Sequence, residues 1–246
     1  MKTQVETVGR LKCRLIGDLA DGEKPALVVV LSHGYGASGT DLLPIGEELF
    51  DQFPDLNPHV QFVFPEAPLS LDDQGIPGGR AWWPIDLMQL QMAAATGQFR
   101  QLQRGRPEGM IESRNRLIET LQALSERWGL RLSQFVIGGF SQGAMLSVDT
   151  SLALPENVAG VVAMSGSLLN ETEWLERAPQ HRGLRVLQSH GTADPLLPFD
   201  AAENLRDLLT SAGAVVEFIP FQGGHQIPFE VFDGVGEFLS SLVAAR

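Results

Sequence analysis

The chain has 246 residues, 43% of them hydrophobic, which suits one large α/β domain with a sizeable core and argues against disorder. Its 30 acidic and 18 basic side chains leave a formal charge of −12. Such a surface repels nucleic-acid phosphates and anionic lipid, so neither is expected as a partner.

Short apolar runs alternate with longer helical patterns. Residues 11–16 read as an antiparallel edge strand. Residues 26–31 (ALVVVL) read as a buried strand, followed by a glycine-rich turn and an amphipathic stretch over 41–50. Residues 60–64 (VQFVF) form a second such strand. Over 110–128, Ile111, Leu117, Ile118, Leu121, Leu124 and Trp128 recur at helical spacing. Residues 135–138 lead through GFSQGA into a helix reaching about Leu154. Strands follow at 158–164, 184–188 and 215–220, with helices at 199–212 and 228–244. Unbroken apolar strands alternating with helices predict a mostly parallel central sheet covered on both faces. Sites in such sheets form beyond the strands' carboxyl ends.

Gly139-Phe140-Ser141-Gln142-Gly143 matches G-x-S-x-G between an apolar strand and a helix. A sharp turn there exposes the serine, small neighbours permit the turn, and the helix N-terminus offers N–H groups to an oxyanion. By itself the match also fits a phosphate-type turn or a plain helix cap. A serine hydroxyl needs a base, and the base needs an orienting partner. Of the five histidines, His59 and His181 read as surface residues, and His33 and His190 as residues that shape a site. His225, in a Gly-Gly-His loop after the last strand, is the candidate base. Asp194, in HGTADP after the preceding strand, is the candidate acid. Each alone fits a structural loop role. Together, the order Ser141, Asp194, His225 is that of an α/β-hydrolase triad. Asp149 reads as a helix-surface residue and Asp200 as part of a helix start.

The turn HGYGASG has two readings. It is an oxyanion loop in which the Tyr35 N–H joins that of Gln142, or a dinucleotide fingerprint built on Gly34, Gly36 and Gly39. The second reading wants an acid about 20 residues on, and the nearest candidate, Glu66, lies further away inside a PEAP turn. There is no metal-binding motif and no cysteine pair, so no metal is expected.

The pieces LSHGYGASGTDL, PEAP, GFSQGAMLS, MSGSLL, HGTADPLLP and GGHQIP together resemble the phospholipase/carboxylesterase family, which includes bacterial carboxylesterases and acyl-protein thioesterases. They span roughly residues 27–230. The resemblance implies an α/β-hydrolase fold, no cofactor, the triad just named, and an oxyanion hole from the N–H groups of Tyr35 and Gln142. It makes a small acyl ester or thioester the expected substrate. A lysophospholipase or acyl-protein thioesterase is the alternative, ahead of a peptidase, a silent binding protein or a nucleotide-dependent oxidoreductase.

The chain departs from the family between Pro68 and Met110. Here RAWWPID precedes a longer stretch in which Met88, Met92, Ala95, Phe99 and Leu102 share one helical face. An insertion at about 69–109 is therefore expected either to cap an acyl pocket, with Trp82, Trp83, Met88, Met92 and Phe99 lining it, or to pack as ordinary core. Arg100, Arg104, Arg106, Arg114 and Arg116 read as a solvated basic face. Cys13 is the only cysteine, which excludes an internal disulfide. No secretory signal is legible, and no stretch approaches the about 18 apolar residues of a membrane helix. A cytoplasmic location without integral membrane association is the expectation, and a homodimer is left open.

Overall fold

A computed structural model describes residues 2–19 and 22–245. Its strands β1 (Lys2–Val8), β2 (Leu11–Gly17), β3 (Leu27–Ser32), β4 (Val60–Pro65), β7 (Phe135–Phe140), β8 (Gly160–Met164), β9 (Arg185–Gly191) and β10 (Val215–Phe221) form one sheet. Their order is β1-β2-β4-β3-β7-β8-β9-β10. The run from β4 to β10 is parallel, whereas β2 pairs antiparallel with both β1 and β4.

Side chains alternate strictly between two cores. Val28 and Val30 of β3, Ile137 of β7 and Val161 of β8 point to one. Leu27, Val29, Leu31, Val136 and Val162 point to the other. This period of two in strands apolar on both faces is what a sheet sandwiched between helices demands. Helices α4 (Met110–Trp128), α5 (Gln142–Ala153), α6 (Glu171–Arg177) and α7 (Phe199–Ser211) cover the first face. Helices α1 (Leu43–Gln52) and α8 (Phe229–Ala244) cover the second. Among the described residues, no helix is long and apolar enough to cross a membrane.

Two expectations about the sheet change. Residues 2–8 form a strand that the sequence did not announce, because KTQVETV is mostly exposed and its pairing with β2 rests on the backbone. The strand read at 11–16 is antiparallel, but it lies inside the sheet between β1 and β4, not at the edge.

The segment 69–109 departs from the alternating pattern. It holds a two-stranded ribbon, β5 (Leu69–Ser70) with β6 (Arg80–Ala81), then two short helices, α2 (Leu87–Ala95) and α3 (Phe99–Arg104). The helical face expected to run from Met88 to Leu102 is broken at Thr96-Gly97-Gln98, where Gly97 takes a φ of +68°. Four of the five arginines face carboxylates, while Arg104 is exposed. Arg100 pairs with Glu171, Arg106 with Glu173 at 3.4 Å and Arg116 with Glu112 at 2.9 Å. The Arg114 guanidinium is buried between Glu173 and Asp149, at 2.8 and 3.3 Å. Acidic α6 thus fastens the end of the inserted segment to the body, helped by the Asn170 N–H donating to the Gly105 carbonyl.

Candidate active site

Ser141 stands between β7 and α5 with φ +55° and ψ −115°, a conformation that costs a non-glycine residue of order 1–3 kcal/mol. The flanking residues show how the turn is held. A Cβ on Gly139 would lie 2.1 Å from the Ser32 carbonyl oxygen, and one on Gly143 would lie 2.0 Å from the same atom. The turn therefore presses against the end of β3, and only glycine fits on either side of the serine. The Ser141 N–H donates to the Met164 carbonyl of β8. Hydrogen bonding and steric fit from both neighbouring strands thus keep the strained residue in place.

Asp194 follows β9, and His225 follows β10. His225 Nδ1 is 2.6 Å from Asp194 Oδ2, while Asp194 Oδ1 accepts from the N–H groups of Leu196 and Leu197 at 2.8 and 3.0 Å. Burial pushes the Asp194 carboxyl upward. The bonds from His225 and from the two backbone N–H groups outweigh it and hold the group below the usual carboxylate range. An ionised Asp194 requires the proton on His225 Nδ1, which leaves Nε2 able to accept from a hydroxyl. The two loops touch through glycine: a Cβ on Gly191 would fall 2.2 Å from the Gly224 oxygen.

The turn after β3 is built around His33. Its Nε2 accepts the Ala67 N–H at 3.1 Å, so its proton is on Nδ1, directed at the Gly34 carbonyl at 2.8 Å. Burial holds its imidazole below the ordinary value, in keeping with this neutral tautomer. The alternative dinucleotide reading finds no support in this turn. Glu66, the acid it would need, faces Arg14 at 3.0 Å, and a Cβ on Gly39 would strike that pair.

Ser141, His225, Tyr35 and Gly34 line one cavity of about 640 Å³. Its other walls are largely apolar: Ile85, Leu87, Leu90, Phe99 and Leu102 from the inserted segment face Met145, Leu168, Leu196 and Leu197 of the body. Of the expected pocket residues, Trp83 and Phe99 are part of this lining. Trp82 is buried behind it, its indole N–H donating to the His33 carbonyl. Met88 and Met92 are corrected: they are 72% and 62% exposed on the outer side of α2 and contribute nothing to the wall. The break after α2 turns Phe99 inward while the two methionines stay outside.

Gln142 is buried, and its side chain is turned away from the cavity. Its amide accepts from the Trp82 N–H at 2.9 Å and donates to the Trp83 carbonyl at 2.8 Å. Its backbone N–H is the first of α5, a position that has no partner four residues back within the helix. The sequence reading missed this second use of Gln142, and also Ser113, whose hydroxyl donates to the Trp82 carbonyl.

Asp149 also needs correction. It is 1% exposed, not a surface residue, and accepts from the Trp174 indole N–H at 2.8 Å beside Arg114. Burial pushes its carboxyl up. His181 is buried likewise, against Asn157 and the Leu152 carbonyl, whereas His59 is exposed as expected. Asp200 lies exposed in the first turn of α7 and makes no capping bond. Among the described residues, no group of three or more His, Cys, Asp or Glu side chains could hold a metal ion.

A family model described as Phospholipase/Carboxylesterase matches residues 19–243. A protein from Mycosarcoma maydis named acyl-protein thioesterase 1 is 30% identical over 242 residues, covering 92% of this chain and 95% of that one. Its namesake from Candida albicans is 27% identical, covering 91% and 95%. The crystal structure of esterase PE8 superposes with a TM-score of 0.77 at 30% identity, over 94% of this chain and 99% of that one. A carboxylesterase from Mesorhizobium loti, 19% identical over 97% and 98% of the chains, shares the fold with a TM-score of 0.72.

Proposed function

The chain belongs to the phospholipase/carboxylesterase family, and on that premise we propose that it hydrolyses carboxylic esters and thioesters with Ser141 as nucleophile, His225 as base and Asp194 as the group that orients the base. The observation that carries the proposal is the Asp194–His225 pair at 2.6 Å, with His225 lining the same cavity as a serine held in a strained strand-to-helix turn.

In the proposed reaction His225 Nε2 takes the proton from Ser141 as its oxygen attacks the substrate carbonyl. Charge on the carbonyl oxygen is met by the backbone N–H groups of Tyr35 and Gln142. The imidazolium, stabilised by Asp194, gives its proton to the departing alcohol or thiol. Water activated by the same nitrogen then releases the acid from Ser141. The apolar cavity suits the acyl part of a substrate, and the segment 69–109 acts as its cover. Relatives named acyl-protein thioesterase favour a thioester as the second form of substrate, for which the same machinery serves.

The test is a phosphonate probe together with a panel of p-nitrophenyl esters, acyl thioesters and lysophospholipids. One label per chain, lost with activity in Ser141→Ala, is the expected result. Full labelling of that variant would reject the assignment.

A further inference from the structure

His190, the last-but-one residue of β9, is completely buried beside Asp194. Its Nε2 is 2.8 Å from the Leu197 carbonyl oxygen and 3.4 Å from Asp194 Oδ2, the same oxygen that meets His225. Two histidines therefore converge on one carboxylate oxygen, and the mechanism above uses only one of them.

We propose that His190 is a positioning residue for the Asp194–His225 pair, its Nε2–H holding the Leu197 carbonyl and facing Asp194 Oδ2, the oxygen that also meets His225. The proposal rests on the triad reading and extends it. A carbonyl can only accept, so the proton must be on Nε2. Burial lowers the imidazole below its ordinary value, which keeps it uncharged near neutrality. The groups that face it are Asp194 on its own turn, His225 from the loop after β10, the backbone of Leu197 and of Gly166, and the Phe199 ring of α7 at 6.2 Å. Asp194 and His225 are thus the titratable groups through which it acts.

The turn closes as a loop of hydrogen bonds. Leu197 gives its N–H to Asp194 Oδ1 and its carbonyl to His190, so the ring fixes the peptide that fixes the carboxylate. Without this donor the turn gains freedom and Asp194 loses a positive N–H edge. The carboxylate then becomes more basic and holds the His225 imidazolium more tightly.

The experiment uses His190→Leu, His190→Asn and His190→Gln with a short p-nitrophenyl ester. The leucine has no donor, and the asparagine amide is too short to reach Leu197. The glutamine amide can occupy the Nε2 position. Leu and Asn should lower kcat by about 2- to 10-fold, the range for loss of one neutral hydrogen bond, with KM little changed. The acid limb of kcat/KM should move to higher pH, and Gln should restore most of kcat and return the limb. Folded Leu or Asn variants with wild-type kcat and an unmoved limb overturn the proposal. So does an equal loss in all three with no movement of the limb, the mark of a merely structural ring. Nitrogen-15 imidazole spectra of the unaltered protein give a readout that does not depend on any variant folding: His190 should stay an uncharged Nε2–H tautomer from pH 7 to 8, and an imidazolium or an Nδ1–H tautomer there overturns it. If Asp194→Asn keeps full turnover, the triad reading itself has failed and the role of His190 falls with it; if Asp194→Asn is silent and the His190 variants are unchanged, only the role of His190 is overturned.

Discussion

Gly143 lies against Ser32 so closely that a methyl group on the glycine would sit 2.0 Å from the serine's carbonyl oxygen. No rotation relieves such a clash, because both atoms belong to the backbone frame. Gly143→Ala should therefore force α5 away from β3 and cost about 1–3 kcal/mol or more of stability. Activity should fall further than stability, since the displaced helix carries both Ser141 and the Gln142 N–H. Urea titration and kcat on a short ester measure the two effects. An alanine variant of wild-type stability and turnover would contradict the described contact.

Asp194→Asn should nearly silence turnover, by a factor on the order of 10⁴, because the base is left in the wrong tautomer. Asp200→Asn should change activity little. That residue is exposed in the first turn of α7 without a capping bond, so only a weak helix-dipole contribution of about 0.3–1 kcal/mol is at stake. Circular dichroism and kcat for both variants check the pair. A collapse in Asp200→Asn alone would move the acid's role to that residue.

Acyl-chain selectivity should follow Phe99 and not Met92. Phe99 lines the cavity, and Met92 is on the outer surface of α2. A change of methylene size in an apolar pocket alters discrimination by about 1–3 kcal/mol. Phe99→Ala should thus change the activity ratio between long and short p-nitrophenyl esters by tenfold or more. Met92→Ala should leave the ratio as it is. An equal shift in both variants would mean that the outer face of α2 also meets the substrate.

Acid stability should depend on Glu173. Burial raises its carboxyl, but bonds from Asn170 and Arg114, with the charges of Arg114 and Arg177, bring it down from 4.5 to about 2. A depressed carboxylate stabilises the fold above the unfolded value, and that stability is lost as pH falls. The contribution should therefore be whole above about pH 4.5 and vanish towards about pH 2. Glu173→Gln should be less stable at pH 7 and should lose less than the parent on acidification through that window. Denaturant midpoints at pH 7, 4 and 3 give the comparison, and parallel pH curves would refute it.

The parts of the chain most legible in sequence were those where one local rule acts alone. Strands apolar on both faces, such as LVVVLS, could only be interior parallel strands, and three strand-end loops offered a serine, an acid and a histidine in order. The misread residues needed knowledge of neighbours. In α5 every residue from Gln142 to Leu152 is buried, so Asp149 could not lie on a surface. Its solvation is replaced by Trp174, Asn170 and Arg114, from helices distant in sequence. Met88 and Met92 have the spacing of a buried face, yet the break at Gly97 gives the inward position to Phe99. The lysine and glutamate of β1 conceal a strand because an outermost strand needs no apolar side chains to pair.

Where the proposed base is mounted has a further consequence. Ser141 leaves β7, which is gripped by strands on both sides, whereas His225 hangs from β10, the outermost strand at the other margin from β1. Val215, at the start of that strand, is 62% exposed, and among the described residues only β9 pairs with the strand. Margins of a sheet open at lower free energy than its centre. On the proposed roles, the molecule can therefore go catalytically silent while most of its architecture is still standing: fraying of one marginal strand would uncouple the proposed proton acceptor from a proposed nucleophile whose own support is intact. On that proposal, resistance to inactivation should follow the last strand and the helix after it more than the deep core beneath the serine.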